Sequence, residues 1–292
     1  MFACVKAPGS CGELVQGAID GRSFLVTCPI DVYSTATLTA HSSLLVKAGP
    51  KVQAAVARTL TYLAIADPAF QLTVQSVLPQ GKGMASSSAD ISAACQAVAL
   101  RAGKRLTPAE IAAIATAIEP TDGIFFPGIV RFDHLKATAS RYLGEPPPIT
   151  IAVFDTGGEI DTLYFNRRRD LMGLNAAKEK QVRQALDLVS EGLRTGAAEL
   201  IGRGATLSAV ANQSILYKPC LETVIRLAED YAAVGVSAAH SGTVLGIMFK
   251  SNRLDCYEHC IAAVRQACPE IRFIKTVRLI SGGLQIAGVN DE

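Results

Sequence analysis

Apolar and polar residues alternate along residues 71–78, where Leu72, Val74 and Ser76 interleave with Thr73, Gln75 and Val77, the period of a half-buried strand. The same period runs through Val32, Ser34, Ala36, Leu38 and Ala40, so residues 22–29 and 32–40 read as a strand pair. Ahead of them, a short apolar run leads into residues 6–17, which read as a strand end and turn. The period then changes. In residues 51–66, Val52, Ala55, Val56, Thr59, Leu60 and Leu63 share one helical face, and from Ile91 onward Ala94, Cys95, Val98 and Ala102 continue another, ended by Gly103 as a C-cap. Thr107-Pro108-Ala109-Glu110 carries the signature of a capping box, and its helix is expected to end near Glu119-Pro120.

Three consecutive prolines in Gly144-Glu145-Pro146-Pro147-Pro148 can continue neither a helix nor a central strand, so the boundary between two lobes is placed there, giving 1–148 and 149–292. Beyond it, residues 149–154 read as a buried strand. Val182, Ala185, Leu186, Val189 and Leu193 form one helical face, and Leu221, Val224, Ile225 and Ala228 another. Strands are expected at 234–239, 244–249, 273–279 and 283–287, and a last helix at 253–268.

Composition narrows the function classes. A chain of 292 residues that is 49% hydrophobic and 18% charged can bury a substantial core. A formal net charge of +2, with no basic block beyond Arg167-Arg168-Arg169, is too mild for a nucleic-acid partner. No apolar run reaches membrane-span length and no secretory leader opens the chain, so no membrane partner and a cytoplasmic setting are expected. The eight cysteines lack a Cys-x-x-Cys pair and fall mostly in apolar segments, as reduced core thiols do. Cys256, His259 and Cys260 read as core packing rather than a metal site.

The strand at 71–78 and the helix from Ile91 are joined by Pro79-Gln80-Gly81-Lys82-Gly83-Met84-Ala85-Ser86-Ser87-Ser88-Ala89-Asp90. Its small residues let a bulky anion approach. Serine hydroxyls, unpaired first-turn N–H groups and the positive helix end would then face one phosphate, with Lys82 adding charge. A plain serine N-cap after a glycine turn is the alternative. A second cluster, Ile118-Glu119-Pro120-Thr121-Asp122-Gly123-Ile124-Phe125-Phe126, sets two acids three residues apart, one able to hold magnesium and one able to take a proton, or else forms a turn. Glu13, Gln16 and Asp31, near the N-terminus, are candidate substrate ligands or turn residues.

Pro79, Gly83, Ser86, Ser87 and Ala89 coincide with the second motif of the GHMP kinases, Pro-x-x-x-Gly-Leu-Gly-Ser-Ser-Ala-Ala, while Met84, Ala85 and Ser88 replace leucine, glycine and alanine. The chain resembles that family, which includes galactokinase, homoserine kinase and mevalonate kinase. The Pro8-Gly9 start resembles its first motif, residues 238–246 its third, and residues 118–128 the Gly-x-Asp-x-x-Phe-Phe segment of diphosphocytidyl-methylerythritol kinases. The resemblance implies an α+β, two-lobed fold with an N-terminal lobe like ribosomal protein S5 domain 2 and a ferredoxin-like C-terminal lobe. It implies ATP held by Pro79, Gly81, Lys82, Gly83, Met84, Ala85, Ser86, Ser87 and Ser88, and Mg2+ held by Ser87 and Glu119. Asp122 would be the base, and Glu13, Gln16, Asp31, Ser241 and Gly242 would contact the substrate. Residues 7–17, 24–31 and 119–122 are further similar to the L-threonine kinases of cobalamin synthesis and propanediol use, which make O-phospho-L-threonine. Homoserine kinase is the nearest rival. A non-catalytic GHMP-fold metabolite sensor and a GHMP-fold decarboxylase are the alternatives of other classes.

Overall fold

The structure is a computed structural model that describes residues 2–252 and 254–290, so residue 253, where the last helix was expected to begin, lies outside the described residues. In chain order the strands are β1 (Phe2–Ile19), β2 (Arg22–Ala40), β3 (Leu45–Lys47), β4 (Phe70–Ser76), β5 (Ile129–Phe132), β6 (Ser140–Gly144), β7 (Ile149–Asp155), β8 (Gly235–Ala238), β9 (Val244–Lys250), β10 (Arg272–Arg278) and β11 (Gln285–Asn290). The helices are α1 (Pro50–Tyr62), α2 (Ser86–Arg101), α3 (Pro108–Thr116), α4 (Thr162–Asn166), α5 (Leu171–Ala177), α6 (Glu179–Thr195), α7 (Ala198–Ala211), α8 (Leu221–Asp230) and α9 (Leu254–Ala267).

The strands hydrogen-bond into one sheet in the order β10-β7-β9-β8-β1-β2-β4-β3, with β11 also on β1 and the β5–β6 pair on β2. The first strand is therefore the seam between the two halves of the chain. Its path corrects the sequence reading, because residues 6–17 are not a turn but the middle of an 18-residue strand. The pairing with β2 shifts register between Ser10 and Glu13 and again between Glu13 and Val15, and Gly12 adopts φ +62°. Glycine here makes a bulge inside a strand, which bends the ladder and re-aims the next side chain. Likewise β2 runs unbroken through residues 30 and 31, carrying the gap between the two expected strands as a register shift.

Helix α2 packs against β1 and β2 on one side and α1 and α3 on the other. The sequence suggested one apolar face. Instead it is enclosed all round, burying Ser92 and Gln96 as well as Ile91, Ala94, Cys95 and Val98, which is what a helix lined with alanines permits. The capping box of α3 forms as expected: Glu110 N donates to Thr107 Oγ1 (3.3 Å) and Thr107 N to Glu110 Oε2 (2.6 Å). That helix stops at Thr116, and the chain turns so that Glu119 N still donates to Ala115 O, 3.0 Å. The proline-rich stretch lies between β6 and β7.

Candidate active site

The loop from β4 to α2 opens onto a cleft of about 760 Å³. Gly81 and Gly83 have φ of +68° and +80°, and Ala85, the residue before the helix, is also left-handed at φ +55°. An alanine there is strained, and such strain is kept where the surroundings fix it. No side chain caps α2. Its first-turn N–H groups thus keep their donors for a ligand, and the positive helix end faces the cleft.

The three serines at the head of α2 divide their work. Ser86 Oγ turns inward and donates to Leu78 O, 3.3 Å. Ser87 Oγ donates to Glu119 Oε1, and Glu119 Oε2 accepts from Lys51 Nζ at 2.6 Å. Ser88 Oγ donates to Asp122 Oδ2 at 3.2 Å and accepts from Asp122 N at 3.0 Å. One helical turn therefore fixes both acids, and an N-cap reading explains none of these contacts.

Glu13, re-aimed by the Gly12 bulge, lines the same cleft beside Asp122 and is buried. Burial and then the Asp122 carboxylate push the Glu13 carboxyl well above the usual carboxylate range. Burial also pushes Asp122 up to about 6, with the Ser88 hydrogen bond opposing and the Glu119 charge assisting. Two neighbouring carboxyls in a dry site do not both ionise readily, so the pair holds a proton to higher pH than either acid would alone.

Of the residues expected at the phosphates, Pro79, Gly81, Gly83, Met84, Ala85, Ser86, Ser87 and Ser88 line the cleft. Lys82 does not. Its Nζ sits 3.0 Å from Asp155 Oδ2 and 2.6 Å from Gly158 O, while its carbonyl accepts from Thr243 N and Val244 N. Against the effect of burial, hydrogen bonds from Thr243 and Lys82 hold the Asp155 carboxyl below the ordinary value, so it faces Lys82 as a carboxylate. Of the residues expected at the substrate, Glu13 and Ser241 line the cleft, whereas Gln16, Asp31 and Gly242 do not. Gln16 stands behind the cleft wall, with Nε2 on Ala238 O (3.0 Å) and Oε1 3.1 Å from His240 Nδ1. Asp31 is held in unbroken β2 next to β10, where it accepts from Arg278 N and Nε, both at 2.8 Å. Gly242 packs against the backbone of Gly83.

Three contributors were not singled out from the sequence. Lys51 lies in the first turn of α1 and pairs with Glu119. His134, on the cleft wall, is pushed by burial down to about 4 and is neutral at physiological pH. Lys218 is buried, donates to Gly242 O at 2.8 Å, and so holds the loop that backs the phosphate turn. None of the three sits in a local pattern that marks it.

A family model described as the GHMP kinases N terminal domain matches residues 50–126, which span α1, the loop, α2, α3 and both acids. Over its length the chain is 34% identical to an L-threonine kinase of Salmonella typhimurium, covering 97% of this chain and 95% of that one. The chain belongs to the GHMP kinases. Another relative, an L-threonine kinase of Citrobacter freundii, is 36% identical over 87% of this GHMP kinase and 88% of its own length. Among solved structures, homoserine kinase of Cytophaga hutchinsonii superposes with a TM-score of 0.74 at 16% identity, covering 98% and 97% of the two chains. Mevalonate kinase of Methanococcus jannaschii gives 0.71 at 15% identity, covering 96% and 99%. The mixed α+β fold is thus the GHMP kinase fold, and as a GHMP kinase the chain uses ATP and a small-molecule alcohol acceptor.

The donor set also fits magnesium. A serine hydroxyl and a carboxylate converge where a phosphate would meet the helix end, and hard oxygen ligands completed by phosphate oxygens are what this ion takes.

Proposed function

We propose that this GHMP kinase transfers the γ-phosphoryl group of ATP to the side-chain hydroxyl of L-threonine, giving O-phospho-L-threonine. The observation that carries this reading is the similarity to the two L-threonine kinases, at 34% and 36% identity over 97% and 87% of this chain. Likeness to homoserine kinase is confined to fold at 16% identity.

In this reading the amides at the head of α2 and the loop from Pro79 to Ser88 cradle the triphosphate. Ser87 and Glu119 would hold magnesium, which when bound neutralises charge on the phosphate oxygens. Ser88 fixes the Asp122 carboxylate through two hydrogen bonds, so the base has one orientation. Asp122 receives the hydroxyl hydrogen and points the oxygen at the phosphorus for in-line transfer. Lys51 holds Glu119 by its other oxygen and keeps it from turning away.

The division into lobes at 148 and 149 belongs to the same reading, and it is supported by a second apolar cluster drawn wholly from residues 152–271. A cytoplasmic setting is supported by eight free cysteines. The product would supply the aminopropanol phosphate of the cobalamin nucleotide loop.

The test is an ATP-coupled assay offering L-threonine, L-serine, homoserine and mevalonate separately. L-Threonine is expected to give the highest kcat/KM, and absence of threonine turnover rejects the assignment.

A further inference from the structure

The cleft contains polar atoms that the chain itself leaves without partners. Glu13 Oε2, Thr121 Oγ1 and His134 Nδ1 are each buried and have no hydrogen-bond partner among the described residues, and all three residues line the cleft. Buried polar atoms are nearly always paired, so three on one wall call for a ligand with several polar groups. The most demanding is Glu13. Its side chain is 3% exposed, no basic side chain is bonded to it, and it lies against the acid that handles the acceptor hydroxyl.

We infer that Glu13 receives the α-ammonium group of the acceptor, so that the Glu13–Asp122 pair reads an amino group and a hydroxyl on adjacent carbons. This rests on the proposed function and adds the reason for its selectivity. In a β-hydroxy amino acid the nitrogen and oxygen are vicinal, so two contacting carboxyls reach both at once. Homoserine puts one more carbon between them, and seating its ammonium on Glu13 carries its hydroxyl past Asp122. Mevalonate has no cation for Glu13 at all. The bulge at Gly12 is what makes this possible: an added Cβ there would stand 2.5 Å from Ala238 C, so only glycine lets β1 approach β8 and turn Glu13 into the cleft. Thr121 Oγ1 and His134 Nδ1 remain for the other polar groups of the amino acid.

The experiment compares wild type with Glu13→Gln on L-threonine and on 3-hydroxybutanoate, which keeps the hydroxyl and carboxylate but lacks the ammonium. Losing a charge-assisted hydrogen bond should raise the threonine KM about 10- to 100-fold in the variant, with the KM for ATP unchanged. The wild-type preference for threonine over 3-hydroxybutanoate should shrink by the same factor, a coupling that a merely structural role would not produce. Glu13→Asp, which keeps the carboxyl on a shorter arm, is measured in parallel and covers a Gln variant that fails to fold; its threonine KM should rise while its preference over 3-hydroxybutanoate survives. An unchanged preference in Glu13→Gln, or an unchanged threonine KM in Glu13→Asp, overturns the inference while leaving the threonine kinase assignment intact. Wild type that phosphorylates no β-hydroxy amino acid overturns both, and the two failures are told apart by the wild-type arm alone.

Discussion

Gly242 stands against Gly83 backbone to backbone: a Cβ at position 242 would lie 2.3 Å from both Gly83 Cα and Gly83 N. The loop between β8 and β9 is therefore the floor on which the phosphate turn rests. Gly242→Ala is expected to displace that turn, lowering stability by about 1–3 kcal/mol as overpacking does and raising the KM for ATP about tenfold. Thermal melts and ATP titrations check this. A variant with wild-type ATP affinity would show that the turn does not depend on its floor.

Asp122→Asn should lose about 10²–10⁴ in kcat while still binding ATP, since the amide keeps the shape and the Ser88 contact but cannot take a proton. Single-turnover kinetics and nucleotide binding measured on the same preparation separate the two effects.

The same residue makes activity and stability respond to pH in opposite directions. Asp122 is ionised above about pH 6, so log kcat/KM should climb through that value and then level off. Between the ordinary aspartate value and about 6 the folded protein holds a proton that the unfolded chain has released. Stability therefore falls as pH rises through this window, and the cost is complete above it. Asp122→Asn removes the buried charge, so at pH 8 the inactive variant should melt about 2–4 °C above wild type. Equal melting temperatures would mean that the carboxylate is solvated in the folded protein.

Lys82 and Asp155 should behave as one unit. Either Lys82→Met or Asp155→Asn breaks the 3.0 Å pair that ties the phosphate turn to the end of β7, and the double variant should be little worse than the singles. If Lys82 instead served the phosphates, Lys82→Met alone would raise the KM for ATP and the two effects would add. Kinetics on the three variants decide between these outcomes.

Glu119→Gln should raise the magnesium concentration needed for half-maximal rate and lower kcat/KM about 10²-fold or more, with Lys51→Met showing a weaker form of the same defect. A magnesium titration at fixed ATP checks both.

The sequence made the serine loop and the two acids legible because their meaning is local: small residues, hydroxyls and carboxylates follow one another within a few positions. The capping box at Thr107 was legible for the same reason. Residues 6–17 were misread because glycine marks a turn and a bulge alike, and only the partner strand distinguishes them. Helix α7 went unread because its glycines lower helix propensity; Gly202 is required by the neighbouring strand, where an added Cβ would meet Val234 O at 2.1 Å. Lys82 carried a charge that pointed plausibly at phosphate, but its direction was decided by Asp155, 73 residues further on and invisible in any local window. Asp31 went the same way, claimed by Arg278 across the sheet.

Thirteen of the sixteen residues of α2 are buried, and both of its neighbouring acids are fastened to its first turn. The anion receptor is consequently a rigid fixture of the hydrophobic interior. Its donors were immobilised when the polypeptide condensed, so nucleotide capture needs little further ordering of the helix head.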